Sequence, residues 1–570
     1  MGQTRRNFLK TAAAAAGGIA LGSQTVVAKG VLENQFFVDT ESSDSDAWRQ
    51  DVEIIDEAEA TGFASVRGAE SDLEGYGLDF AREIEYEISP PDVPEGAPAL
   101  TEDAEPDVPS PEAHKGSGTP APYPLQWDKE AQNVRALHEE GITGDGATVA
   151  IIDSGIDADH PDLQANVNTD KSANFSTADG IGARGEYHGT HVAGIVAASG
   201  DNASSGGPYV VGNAPDAELV DLKIFPFKSS ASIISAVEHA ILYADADVAN
   251  MSFGPGSPYG PSVDSHLSEK AYRQLGELAV ENGTLLVESA GNADANIDAV
   301  PETVTNTGKG TVEGYLEVSA TGPVSDSGSL PEFGTIAPTH APAYYTNYGP
   351  ESIDVSAEGG NVLGTDFDGV LSTMPPEATG GFTRIGPNDE YGTLHGTSMA
   401  APNVAGTAAL IAAENPDASP KQIRYLLKNT ATELDVEYPD IFGIFGIGLG
   451  YFESTNGTIF NDFELEDPYT SQRYRGDGHI DVTEAVEKGV PDALEGGIQV
   501  KGTTYYPTDP DNDGLYEDVN GDGVVDMEDV ELLYQIALRN VVGPDTEAFD
   551  FNGDGRFDMY DVQQLVREIQ

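Results

Sequence analysis

The chain has 570 residues, 97 of them acidic and 28 basic, so its formal charge is 28 − 97 = −69. Nucleic-acid phosphates and anionic lipid headgroups would repel such a chain, which excludes both as partners, and the absence of cysteine excludes thiol catalysis, thiolate-bound zinc and disulfides. With 39% hydrophobic and 22% charged residues it is not a disordered acidic tail, and it is long enough for a full-sized catalytic core plus smaller modules.

Residues 1–28 set Arg5-Arg6, Phe8, Leu9 and Lys10 before a mild Ala/Gly-rich stretch that ends in the small residues Val26-Val27-Ala28. That order is expected of a cleavable leader of twin-arginine type, and hence of a secreted, extracellular protein. Gly17, Gly18, Gly22, Ser23 and Gln24 interrupt the run, and no other segment offers the roughly 20 apolar residues a membrane span needs. From 31 to 89 the patterning predicts a small folded unit. VLENQFFVDT reads as a strand, DAWRQDVEIIDEAEATG as a helix, and FASVRG and REIEYEI as strands. Between Pro90 and Pro124 lie 10 of the 35 prolines, among Glu, Asp, Gly and Ser, so residues 90–124 are expected to be an extended tether. A small unit, a cleavable tether and a large domain make the plan of a proenzyme; a separate binding domain on a linker is the alternative.

From about 125 to 490 strands and helices alternate, which predicts an α/β fold with a mostly parallel central sheet in three layers. ATVAIIDSGID places an apolar strand before Asp153, and HGTHVAGIVAA opens a helix at His188. ELVDLKIF and ADVANMSFG read as strands, GTLLVESAGN runs a strand into Asn292, and a Gly-Thr-Ser turn at Ser398 opens a long apolar helix. Side chains at strand ends and helix starts stand where open α/β sheets place their sites. A serine hydroxyl is a weak nucleophile without a neighbouring base, so a Ser, a His and an Asp in such places point to acyl transfer. A zinc helix would need two histidines four residues apart with a Glu between; His188 and His191 are three apart with no Glu between them.

DSGID, HGTHVAG, SAGN and GTSMAAP, in that order, resemble the motifs of the subtilisin-like serine proteases, the subtilase family. The resemblance implies a serine endopeptidase acting on polypeptides, with Asp153, His188 and Ser398 as the triad and Asn292 as an oxyanion donor. It makes His191 structural. It further implies a substrate cleft walled by Ser252-Phe253-Gly254 and Ser289-Ala290-Gly291, with Pro255 and Glu288 as departures from the pattern, and calcium at Asp162, where the loop 201–207 would complete the site. Surface insertions are expected between 293 and 397 and between 434 and 476. A non-catalytic surface protein built on a dead protease fold is the alternative, and the intact Asp153/His188/Ser398 set argues against it.

The tail repeats itself. DVNGDGVVDMED sets Asp518, Asn520, Asp522, Asp526 and Asp529 at positions 1, 3, 5, 9 and 12 of a loop with glycine at 6. DFNGDGRFDMYD does the same with Asp550, Asn552, Asp554, Asp558 and Asp561. Hard oxygen donors at this spacing suit a hard ion, calcium. Each loop feeds a short amphipathic helix, with no helix entering either loop, so residues 505–570 resemble a type I dockerin domain, which implies a cohesin-like protein partner. At molar salt the Debye length falls to about 3 Å and repulsion among carboxylates is screened. The acid excess is therefore expected of a protein made for brine and, with the twin-arginine leader, of a haloarchaeal family member.

Overall fold

The computed structural model describes residues 25–43, 45–89, 126–183, 186–202, 209–253, 265–292, 296–298, 312, 314–322, 341–343, 345–350, 352–360, 369–376, 384–385, 390–416, 418–432, 476–490, 498–501, 503–510, 515–539, 546–553, 557 and 559–569. The expected leader up to Gln24, the tether, most of the two expected insertions, and Gly254, Asp554 and Asp558 lie outside the described residues. Among the described residues no helix is long and apolar enough to cross a membrane.

The N-terminal unit holds β1 (Thr25–Asp39), β2 (Glu53–Ala58), β3 (Phe63–Arg67), α1 (Glu70–Tyr76) and β4 (Asp79–Ser89), its sheet antiparallel in the order β2-β3-β1-β4. β1 begins at Thr25, which pairs with Ser89, so the strand includes the last residues of the expected leader. The helix expected over residues 46–62 is not there. A 3-10 turn, Asp46–Gln50, is followed by the edge strand β2. The β-branched Ile54 and Ile55 favour extended backbone, and a bulge between Ile54 and Asp56 adjusts the pairing with β3. Helix α1, absent from the sequence reading, stops at Gly77, whose φ of +68° is a conformation that favours glycine.

In the large unit α2 (Trp127–Ala131) and α3 (Val134–Glu140) precede β5 (Thr148–Asp153). There follow β6 (Ala173–Asn174), α4 (His188–Ala197), β7 (Glu218–Lys223), α5 (Ser230–Leu242), β8 (Val248–Met251), α6 (Ser265–Asn282), β9 (Leu285–Ser289), β10 (Tyr315–Gly322), β11 (Ala341–Pro342) and β12 (Val355–Glu358). The main sheet runs β11-β10-β9-β8-β5-β7-β6, with β12 also paired to β10, and every pairing but β10–β11 is parallel. A three-strand sheet of β13 (Val370–Thr373), β14 (Arg384–Ile385) and β15 (Tyr391–Leu394) leads into α7 (Thr397–Glu414), α8 (Pro420–Asn429) and α9 (Val482–Lys488).

The alternation of β5 makes the layers. Val149 and Ile151 enter one core with residues of α4 and α7, while Ala150 and Ile152 enter the other with residues of α5 and α6. The expected three-layer α/β fold is the fold observed. The N-terminal sheet is sandwiched in the same way. Phe36, Val38 and Val66 pack with Trp48 and Leu73 on one face. Phe37, Phe63 and Ala81 on the other join the core built by α5 and α6. Three acids fasten the seam. Glu83 accepts from the Ser230 N–H and hydroxyl at the start of α5, Glu238 accepts from Thr61, and Asp39 meets Lys270 at 2.5 Å.

The tail contains the hairpin β16 (Ile498–Val500) and β17 (Thr503–Tyr505), then α10 (Met527–Arg539) and α11 (Met559–Ile569). Val530, Leu533 and Ile536 of α10 bury themselves with Val562 and Leu565 of α11 in a core of their own. A 3-10 turn, Thr546–Phe549, precedes the second loop. The first loop rests against α8, where Lys421 Nζ lies 2.8 Å from Asp522 Oδ2.

Candidate active site

Asp153 ends β5 and His188 begins α4, as the motifs require. His188 Nδ1 lies 2.9 and 3.0 Å from the two Asp153 carboxylate oxygens, with both side chains buried. The close approach depends on Gly189, where a Cβ would stand 2.7 Å from the Gly155 carbonyl oxygen and 3.2 Å from Asp153 Cβ. Any side chain there would prise the first turn of α4 off the end of β5.

Ser398 is the second residue of α7 and is 5% exposed. Its carbonyl has lost its usual helical donor, because Pro402 stands four residues on and carries no N–H. Ser252 supplies a replacement. Its hydroxyl donates to the Ser398 carbonyl at 3.0 Å, and the Ser398 hydroxyl donates back to the Ser252 carbonyl at 3.2 Å. In this resting arrangement no hydrogen bond joins Ser398 to His188 among the described residues. Catalytic hydrogen bonds commonly close only when substrate is present.

The orientation of Asn292 is set by its acceptor side. Oδ1 accepts from the Thr397 N–H at 2.9 Å and from the Thr397 hydroxyl at 3.0 Å, and that hydroxyl in turn accepts from Gly291 N. With Oδ1 held by Thr397, the Nδ2 donor is the amide's remaining hydrogen-bonding group beside the start of α7. Gly396, at φ +156°, makes the turn, and a Cβ there would lie 3.4 Å from Nδ2.

The expected cleft residues divide. Ser252, Ser289 and Ala290 are buried near Ser398 and Asn292, and Gly291 is partly exposed. Phe253 turns its ring into the core against Phe225, centroids 6.4 Å apart, so only its backbone is left to line a cleft. Glu288 is fully buried inside the sheet, in register with the equally buried Glu317 of β10, and is no part of a cleft surface. His191 holds the carbonyls of Val370 and Gly392 at 3.1 Å, the structural part expected of it.

Two features near the site were missed in the sequence. Asp221 is a charged residue in the apolar strand β7, and that misfit was the available signal. Its Oδ2 accepts from Gly182 N at 2.9 Å; burial, with a contribution from the charge of Asp153, pushes its carboxyl up to about 6. Lys129 lies beneath the two helices that carry His188 and Ser398, and a lysine in a short amphipathic segment gave no signal at all.

Asp162 is buried against the loop expected to complete a calcium site. Its oxygens already accept from Asn202 N, Val210 N and the Tyr391 hydroxyl, at 2.8 to 3.1 Å. A cation there would have to displace or share these donors, so the described residues do not by themselves form a calcium site. The first tail loop fits better. Asp518, Asn520, Asp522, Asp526 and Asp529 carry the oxygen atoms a hard ion takes, around Gly523 at φ +88°. Asp518 and Asp529 are fully buried; burial, aided by the charge of Asp522, pushes Asp518 up to about 6, and burial, aided by the charges of Asp518 and Asp522, pushes Asp529 up to about 8. Backbone amides hold them now: Gly521, Asp522 and Gly523 on Asp518, and Asn520 and Asp526 on Asp529. Among the described residues no three acidic or imidazole side chains are already gathered as a metal cluster. In the second loop Asp561 accepts from Asn552 N at 3.2 Å, repeating the Asp529–Asn520 contact, with Asp550 at the loop's start.

The subtilase family profile matches residues 144–448, and the dockerin type I profile matches residues 516–570. An alkaline protease of Alkalihalobacillus alcalophilus is 31% identical over 396 residues, 67% of this chain and 83% of that protein. Subtilisin Savinase of Lederbergia lenta is 33% identical over 313 residues, 54% of this chain and 92% of that protein. Among solved structures, fervidolysin of Fervidobacterium pennivorans, a keratinolytic enzyme related to subtilisin, shares the fold with a TM-score of 0.53 at 19% identity, over 86% of this chain and 70% of that one. Since the family profile covers more than half of the chain and the relatives are matched over most of their own length, the chain belongs to the subtilase family and is a serine endopeptidase carrying a dockerin type I domain.

Proposed function

We propose that the chain is a secreted, salt-adapted serine endopeptidase, exported through a twin-arginine-type leader and made as a zymogen that processes itself. Its tail is a calcium-loaded docking module for a cohesin-like partner. The observation that carries the reading is the conjunction of the buried Asp153–His188 pair with Ser398 at the start of α7 and an Asn292 amide held through Oδ1 by Thr397.

On this reading Ser398 Oγ attacks the scissile carbonyl carbon while His188 Nε2 takes the hydroxyl proton. The carbonyl π electrons move onto oxygen, and Asn292 Nδ2–H with the Ser398 N–H holds the resulting oxyanion. Collapse of the tetrahedral adduct breaks the C–N bond, His188 returns its proton to the leaving amine, and an acyl-enzyme remains. Water, deprotonated by the same histidine, then frees the acid. Asp153 orients the imidazole and stabilises the imidazolium without itself taking the proton. Losing one oxyanion donor of this kind costs about 3 to 4 kcal/mol, a value established in subtilisin itself and not obtained from this chain.

The zymogen reading rests on residues 31–89 covering α5 and α6 through Glu83, Glu238 and Asp39. In the tail, Asp518, Asn520, Asp522, Asp526 and Asp529, and in the repeat Asp550, Asn552, Asp554, Asp558 and Asp561, would hold calcium. The ion would supply the cross-link that a cysteine-free module lacks. The exposed Met527 and Met559, at equivalent positions of the two loops, support a docking surface. The test is cleavage of an unfolded protein at molar salt, with and without a serine-directed covalent inhibitor. Wild type should cleave and be blocked, whereas Ser398→Ala should be inert and accumulate chain beginning near residue 31. Normal processing of Ser398→Ala in a host without other proteases would remove the self-processing reading.

A further inference from the structure

Lys129 is a deeply buried cation of the large unit, 1% exposed, and its ammonium is ringed by acceptors from four segments. It donates to Asn403 Oδ1 of α7 at 2.5 Å, to the Ile195 carbonyl of α4 at 3.3 Å and to Asn213 Oδ1, and it lies 3.1 Å from Asp128 Oδ2. The acceptor faces of both amides are imposed. Asn213 Nδ2 is engaged with the Asn403 carbonyl, and Asn403 Nδ2 with the carbonyls of Glu358 and Met399, so each Oδ1 must face Lys129. Four acceptors around one nitrogen suit a donor with several protons such as an ammonium; burial works against its charge and Asp128 favours it.

These contacts join the two helices whose separation decides the chemistry. Ile195 belongs to the helix that begins at His188, and Asn403 lies one and a half turns beyond Ser398. Lys129 itself comes from α2, in the first described segment after the tether. That segment is plugged in by the Gln126 side-chain amide, which exchanges hydrogen bonds of 2.9 Å with the Val211 N–H and carbonyl, and by Trp127 Nε1 on the Gly369 carbonyl.

We propose that Lys129 is a positioning residue, a buried ammonium that sets the spacing between the helix of the base and the helix of the nucleophile. Maturation must therefore cut on the N-terminal side of Gln126. The proposal rests on His188 and Ser398 acting as base and nucleophile. Without the ammonium, Asn403 and Ile195 keep their carbonyl oxygens but lose the group that draws them together. A shift of about 1 Å between nucleophile and base is enough to cost about a hundredfold in rate. Substrate subsites are built from β8 and β9, away from Lys129, so substrate affinity should persist.

The experiment compares wild type, Lys129→Met, the pair-removing Asp128→Asn/Lys129→Met and Ser398→Ala at molar salt, with kcat expressed per site titrated by a serine-directed covalent inhibitor. Expected is a per-site kcat lowered roughly 10- to 100-fold with KM within about twofold. A purely structural lysine would lower yield and Tm but leave kcat per titrated site unchanged, and that result overturns the proposal. Should neither variant fold, N-terminal sequencing of the mature wild-type enzyme decides. An active form beginning at or before Gln126 supports the clamp, and one beginning after Lys129 overturns it. Wild type without activity, or active Ser398→Ala, would instead sink the triad reading on which the proposal stands.

Discussion

Asp221 offers the sharpest stability test, because its charge is buried near Asp153, and the backbone of Gly182 and Ile156, with the charge of Lys223, offset only part of the cost. Its carboxylate accepts from Gly182 N at Oδ2 and is also helped by the Ile156 backbone, while Oδ1 has no partner among the described residues. A carboxyl raised from 3.8 to about 6 corresponds to roughly 3 kcal/mol, at about 1.4 kcal/mol per unit. The sign follows from the direction. A group whose folded value lies above its unfolded one contributes stability that is fully present below about pH 3.8 and lost as pH rises through about 6. Asp221→Asn keeps an acceptor for Gly182 and carries no charge, so it should match the parent near pH 4. It should become more stable by up to about 3 kcal/mol by pH 7 to 8, with no further change above. Denaturant unfolding of Ser398→Ala and Ser398→Ala/Asp221→Asn, at molar salt from pH 4 to 9, measures this without self-cleavage. Salt does not abolish the effect, because its main cause is desolvation and not long-range repulsion. A stability difference independent of pH, or an asparagine variant weaker at pH 8, would refute the reasoning.

Diluting NaCl from molar to about 0.1 M lengthens the Debye length from about 3 to 10 Å; Tm and activity should both fall steeply, and a flat Tm would remove the case for brine. Glu83 is fully buried at the seam and its carboxyl is pushed up, chiefly by burial. The N-terminal unit should therefore bind the mature enzyme more tightly at low pH and loosen as pH rises; Glu83→Gln should flatten that dependence in inhibition assays, and an unchanged slope would count against it. A 505–570 fragment should lack helix with chelator and gain it on adding calcium, with Asp522→Ala/Asp554→Ala abolishing the gain; circular dichroism unchanged by calcium at molar salt would leave only a solvated acidic tail.

Most of the site was readable because its residues are pinned by short-range chemistry. A strand must end at Asp153, a helix must start at His188 and at Ser398, and small residues must surround each, so local composition carries the signal. What stayed hidden depends on partners distant in the chain. Lys129 gains meaning only from Ile195, Asn213 and Asn403, which the fold brings to it. Residues 46–62 fit a helix in the sequence because acids and apolar residues alternate there loosely enough to suit either period. Pairing with β3, a tertiary fact, decides for a strand. Phe253 was assigned to the cleft from its neighbours in the motif, whereas its ring finds more to bury against Phe225.

The N-terminal sheet has one aromatic face covered by its own helix and a second that borrows its cover from α5 and α6. There Phe37 and Phe63 stack with centroids 5.2 Å apart. If the unit is cut free as the zymogen reading proposes, that second face would meet water. A four-stranded sheet with a single layer over it retains little to hold it together. The departing fragment would then become an unfolded polypeptide, the kind of chain an endopeptidase cuts most readily. On the self-processing reading proposed above, each N-terminal unit that let go would be consumed by the enzyme it had covered, and activation would work as a ratchet that does not turn back.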